Sequence, residues 1–139
     1  MTAAASLPRP PHENRSLTKY LLIVLEFGGF PLFQELLATL FEVGRKHGVD
    51  PATVAMRWVL DRPGVAAVIV GARNASHVEA NRTVLQLKLQ AEDLAAIETV
   101  VSRGRGPRGD TYALERDREG RHGAIMRYDL NASSAFRPT

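Results

Sequence analysis

Leu32, Phe33, Leu36, Leu37, Leu40, Phe41 and Val43 recur at steps of three and four residues, the spacing of one apolar face on an α-helix. The run ends in "RKHGVD", where Gly48 suits a left-handed C-cap. Asp50 and Pro51 then form an N-cap and first-turn pair. They open a second helix through "PATVAMRWVLDR", with Val54, Trp58 and Val59 along one side. Pro63 and Gly64 stop it. "VAAVIVG", residues 65–71, is a run of small and β-branched residues bounded by turn signals and predicts a strand. Asn74 or Ser76 can cap a third helix carrying Val78, Val84 and Leu85. "LQAEDLAAIETVVS" predicts a fourth helix, with Leu94, Ile97 and Val101 at helical spacing. "YLLIVLEFGG" is too short an apolar run to settle its period and reads as strand or helix.

The flanks differ in texture. Residues 1–19 are Pro-rich and polar and predict an extended arm. Residues 20–102 hold the patterned segments, and from residue 103 "RGRGPRGD" leads into a charged, weakly patterned tail to residue 139. No repeat of twenty to fifty residues is visible. The pattern contains a conflict: a strand as apolar as residues 65–70 wants neighbours on both edges and cover on both faces. The chain offers at most one other candidate.

Composition narrows the class. With 139 residues, 45% of them hydrophobic and 24% charged, the chain suits one globular domain. A net charge of +3 is spread along the chain except at Arg103, Arg105 and Arg108, with no aromatic residues among them, and does not suggest nucleic acid. The absence of cysteine excludes disulfides and Cys-based metal or redox sites and suits a reducing cytoplasm. The most apolar stretch, residues 21–33, is broken by Glu26, Gly28 and Gly29 and is too short to span a bilayer.

The stretch "FEVGRKHGVDPATVAMRWVLDRPGVAAVIVGARNASHVEANRTVLQLKLQAEDLAAIE" resembles the C-terminal portion of an aldo-keto reductase. It has that family's helix pair, Gly-Val-Asp-Pro-Ala junction, last barrel strand, "GARN" turn, "EAN" helix and "L..ED...I" ending. The likeness covers about residues 32–101 closely. The flanks "ENRSLTKYLLIVLEFGGFPLFQELL" and "GDTYALERDREGRHGAIMRYDLN" also look like one branch of the family. The resemblance implies an α/β fold, here an incomplete (β/α)8 TIM barrel: a C-terminal fragment, mostly helical, with one or two strands. A complete barrel needs about 250 residues. By this likeness the chain holds the seventh helical segment, the eighth strand, the eighth helix and the closing helix.

The family's segment after the eighth strand binds the adenosine 2′-phosphate and adenine end of NADP(H), and N–H groups at a helix start favour an anion. Carried over by position, Gly71 and Ala72 form the turn and Arg73 pairs with the 2′-phosphate through its planar fork. His77 and Asn81 face the adenine from successive helical turns. The chain departs from many members at Gly71-Ala72, where they have Lys-Ser, at His77, where they have Arg or Gln, and at Ala80, where they have Glu. No segment matches the family's catalytic Asp, Tyr, Lys and His motifs, so no catalytic residue is assigned. Lys19 and Tyr20 are neighbours whose side chains point apart, and Tyr112 and Tyr128 have no motif around them.

Simpler roles suffice elsewhere. His47 suits the last carbonyls of its helix, Glu92 and Asp93 suit a helix first turn, and Trp58 suits the core. His12 and His122 have no ligand partner at helical spacing, so no metal site is expected. Two functions follow. One is a truncated aldo-keto reductase, an NADP-dependent oxidoreductase relic that holds the adenosine end of the cofactor without turnover. The other is a noncatalytic helical interaction module, covered by self-association or by a partner protein. Neither implies nucleic acid or membrane.

Overall fold

The computed structural model describes residues 15–71 and 75–126. These form α1 (Arg15–Phe27), α2 (Gly29–His47), α3 (Pro51–Leu60), α4 (Ala75–Gln86), α5 (Ala91–Val101), α6 (Thr111–Arg116) and a 3-10 turn (Gly123–Ile125). The chain divides into two units, one of residues 27–104 and one of residues 1–26 with 105–139.

In the larger unit, α2 stops where the sequence predicts. Gly48 takes the left-handed conformation at φ 68° and ψ 30°, which a residue without Cβ adopts without strain. The N–H of Val49 then donates to Gly44 O at 2.9 Å. Asp50 caps α3, its Oδ1 accepting from the Thr53 N–H at 2.7 Å, and Pro51 sits in the first turn, where no N–H is needed. Gly44 permits this tight corner, because a Cβ there would stand 2.5 Å from Val49 O.

The corner folds α3 back on α2, and α5 packs against α2 as well. Leu40 and Val43 of α2, Val54 of α3, Leu87 and Ile97 make the buried core, with Leu36, Trp58 and Leu89 packed around them. Val54 and Ile97 are essentially sealed from solvent, and burying such a side chain contributes about 1.5–3 kcal/mol. The helical periodicity is richer in apolar residues than this core can cover. Leu37, Phe41, Val59, Val78 and Leu85 of the predicted apolar faces are exposed, since a single helical layer covers only one side of each helix.

The predicted strand does not form. Residues 65–71 belong to no helix or sheet, and no strand occurs among the described residues. A strand is a paired object whose N–H and C=O groups need a neighbouring ladder, and no described segment lies alongside to supply one. The ambiguous "YLLIVLEFGG" resolves as helix, with residues 20–27 in α1 and Gly28-Gly29 at the start of α2, and residues 15–19 of the expected arm are helical as well.

The smaller unit gives the tail more order than its weak patterning predicts. Asp110 caps α6 by accepting from the N–H groups of Tyr112 at 2.7 Å and Ala113 at 3.2 Å. Glu115 of α6 pairs with Lys19 of α1. Glu26 accepts from buried His122 at 2.9 Å and lies 3.6 Å from Arg121. His122 is thus paired across 96 residues, where sequence spacing had left it alone. His12 and Tyr128 lie outside the described residues.

Candidate cofactor site

The cleft that concerns the cofactor lies in the larger unit, between the end of α3, residues 68–70 and α4. Its volume is about 380 Å³, and it is lined by Leu60, Val68, Val70, Val78, Asn81, Arg82, Val84 and Leu85. That size falls within the range of small-molecule sites, which combine apolar walls with a few polar groups. The cleft depends on the fold of α3 and α4. Arg57 of α3 donates from Nε to Asp61 Oδ2 at 2.9 Å and from Nη1 to Val84 O at 3.4 Å. The first contact locks the guanidinium at the end of α3, and the second ties that end to α4. The Arg57 hydrogen bond holds the Asp61 carboxyl below its ordinary range.

Of the five residues assigned from the sequence, two can be located fully. Asn81 is half-buried and lines the cleft. Gly71 follows the lining residue Val70, is exposed, and has no atom within 4 Å of where a Cβ would stand, so a ligand can approach its backbone. His77 lies within α4, two turns ahead of Val84, but its side chain is outside the described set. Ala72 and Arg73 lie outside the described residues, as does Asn74, one of the two expected caps of α4. Val78, Asn81, Arg82 and Leu85 follow helical spacing; Val78 and Leu85 were readable from the apolar pattern, and Asn81 only through the family resemblance. Arg82 was missed because an arginine beside an asparagine on a polar helix looks like a solvated surface.

A second polar cluster joins α2 to α5. Asp93, nearly fully buried, accepts from Lys46 Nζ at 2.8 Å and from the Gln90 N–H at 2.9 Å, and it meets His47 Nε2 at 2.7 Å. Burial pushes the Asp93 carboxyl up, but Lys46, His47 and the Gln90 N–H together outweigh it and hold the group at about 2. Lys46 also reaches Glu92 at 2.8 Å; the two carboxylates raise its ammonium above the usual range. His47 therefore serves Asp93 rather than the last carbonyls of α2, which the N–H groups of Gly48 and Val49 satisfy. Lys46, His47 and the Gln90 N–H all converge on Asp93, with Lys46 shared with Glu92, which makes the cluster a structural latch. No group of three or more metal-ligating side chains occurs among the described residues.

Tyr20 is 61% exposed and Tyr112 is 62% exposed, and Lys19 is engaged with Glu115. The Arg116 guanidinium lies over the Tyr112 ring at 3.7 Å. No single helix among the described residues is long and apolar enough to cross a membrane.

Comparison with known proteins adds a lineage. The model of the aldo/keto reductase family matches residues 4–102. The chain is 36% identical over 67 residues to Protein tas of Escherichia coli, covering 48% of this chain and 19% of that protein. It is 28% identical over 97 residues to Aldo-keto reductase str7 of Strobilurus tenacellus, covering 70% and 26% respectively. It is 37% identical over 77 residues to 4-dihydromethyl-trisporate dehydrogenase of Mucor mucedo, covering 55% and 23%. The matched region thus spans about a fifth to a quarter of each of these relatives. No solved structure matches the chain significantly.

Proposed function

The chain belongs to the aldo/keto reductase family, and on that premise we propose that it carries the adenosine-phosphate end of an NADP(H) site within an incomplete (β/α)8 barrel. The observation that supports this most is a juxtaposition: Asn81 on α4 lines an apolar-walled cleft at Val70, next to the bare backbone of Gly71. An adenine ring needs flat apolar walls and a polar group at its edge. Val70, Val78 and Leu85 suit the first, and the Asn81 amide, both donor and acceptor, suits the second.

In this reading Gly71 and Ala72 make the turn into α4, whose first N–H groups favour an anion. Arg73 pairs with the 2′-phosphate through two parallel hydrogen bonds, and His77 and Asn81 bound the adenine. When bound, NADPH supplies a hydride for reducing a carbonyl carbon. This chain's residues hold the far end of that cofactor and bring no proton donor to the substrate.

Titration of the full chain with NADPH and NADH tests the proposal. NADPH binds more tightly than NADH, and Arg73→Ala weakens NADPH by about tenfold or more while leaving NADH unchanged. Equal affinity for the two dinucleotides would remove the 2′-phosphate role. A second reading, a noncatalytic module covered by its own copies or by a partner, is favoured by the full exposure of Ile69 together with Val78 and Leu85. It predicts no dinucleotide binding and a discrete assembly by light scattering.

A further inference from the structure

The cleft beside α4 meets a ligand with few polar groups. Of the described residues that line it, six are aliphatic, and only Asn81 and Arg82 carry polar side chains. No aspartate or glutamate is among them. Which bases the site can tell apart depends on what these two side chains donate and accept.

Purines that differ at position 6 present opposite patterns there. Adenine offers a donor in its 6-amino group and an acceptor at N1. Hypoxanthine, a 6-oxo purine, offers an acceptor at O6 and a donor at its N1–H. A side chain that only accepts takes the first and rejects the second, because the wrong base leaves a polar group unpaired. An amide is not such a group. It has an acceptor at one end and two donors at the other, and its terminal torsion is broad and roughly twofold. Turned one way the Asn81 amide matches adenine, and turned by half a revolution it matches hypoxanthine through the same number of hydrogen bonds.

That freedom depends on what holds the amide. Asn81 is half-buried, and among the described residues no side-chain hydrogen bond fixes which end of it faces the cleft. Arg57, which ties α3 to α4, directs its donors to Asp61 and to Val84 O. Arg82 has donors only, and the purine acceptors N3 and N7 that suit a donor are common to both bases. Residues 68–70 belong to no helix or sheet, and their backbone offers N–H and C=O alike. None of these groups favours a 6-amino substituent over a 6-oxo one.

From this chemistry we infer that the cleft admits 6-oxo purine dinucleotides as well as adenine dinucleotides, so that the 2′-phosphate and not the 6-substituent of the base selects the ligand. The inference rests on the reading of the cleft as a cofactor site and deepens it by naming the class of base the site takes.

Calorimetric titration of the full chain with NADPH and with its hypoxanthine counterpart, which differs only at position 6, tests the inference. The two bind within about threefold of each other. Asn81→Asp replaces the amide with a carboxylate that only accepts, and it favours NADPH over the hypoxanthine dinucleotide by about tenfold or more. Asn81→Leu weakens both dinucleotides equally, by about fivefold. Helical circular dichroism of both variants matches the parent. A preference of tenfold or more for NADPH in the parent chain would overturn the base tolerance and leave the cofactor site standing. Unchanged binding of both dinucleotides by Asn81→Asp and Asn81→Leu would overturn it as well, since the base would then lie away from Asn81. Binding of neither dinucleotide by the parent would remove the cofactor reading and this inference together.

Discussion

Asp93 shows how much one side chain can hold. Its two oxygens collect Lys46, His47 and the Gln90 N–H, joining the end of α2 to the start of α5. Asp93→Asn removes the negative charge all three donors serve and is expected to cost about 1–3 kcal/mol in urea unfolding. The acid limb should change in parallel. The Asp93 carboxyl is held at about 2 in the folded chain, below its unfolded value near 3.9. A depressed carboxyl contributes its stability in full above that unfolded value and loses it as pH falls through about 2. Stability of the parent chain should thus fall between about pH 4 and pH 2 more steeply than that of Asp93→Asn; parallel profiles would refute the latch. Its charges were visible as first-turn residues and the Gln90 N–H is local, whereas its side-chain donors Lys46 and His47 come from 47 and 46 residues away, a distance no local pattern encodes.

At the scale of elements, the junction of α2 and α3 was legible because its rules are local. Gly48, Asp50 and Pro51 each answer a backbone requirement within a few residues, and the structure uses all three as the sequence predicts. Asp50→Ala should cost about 1 kcal/mol through loss of the cap. Gly44→Ala should cost about 1–3 kcal/mol, because its methyl meets the Val49 carbonyl, a backbone atom that cannot swing aside. Thermal unfolding of both variants checks the pair, and a neutral Gly44→Ala would mean that the corner relaxes. Residues 65–71 show the opposite case. Their β-branched composition predicts a strand, yet pairing depends on a neighbour, so a correct local preference did not become a strand.

For the molecule as a whole, the core joins α2, α3, Leu87 and α5, and Ile97 lies at its sealed centre. Ile97→Ala should cost about 2–5 kcal/mol, enough to abolish a cooperative melt in a unit of this size. The exposed Ile69, Val70, Val78 and Leu85 should bind a hydrophobic dye in the unpartnered chain, and the signal should fall when a partner covers them. The same chain, given NADPH and a panel of aldehydes, should show no steady cofactor consumption. Turnover that survives purification and depends on this chain would overturn the assignment of its role.

The sequence by itself determined α2 to α5, the Gly48 and Asp50–Pro51 junction, the family and the apolar character of residues 65–71, because periodicity, turn chemistry and co-linear similarity are properties of neighbouring residues. Only the tertiary structure decided which apolar faces are covered, that His47 and Lys46 converge on Asp93, that His122 meets Glu26, and that Asn81 lines a cleft beside Val70. Each of these depends on where distant segments come to lie, and burial and ion pairing follow from that placement.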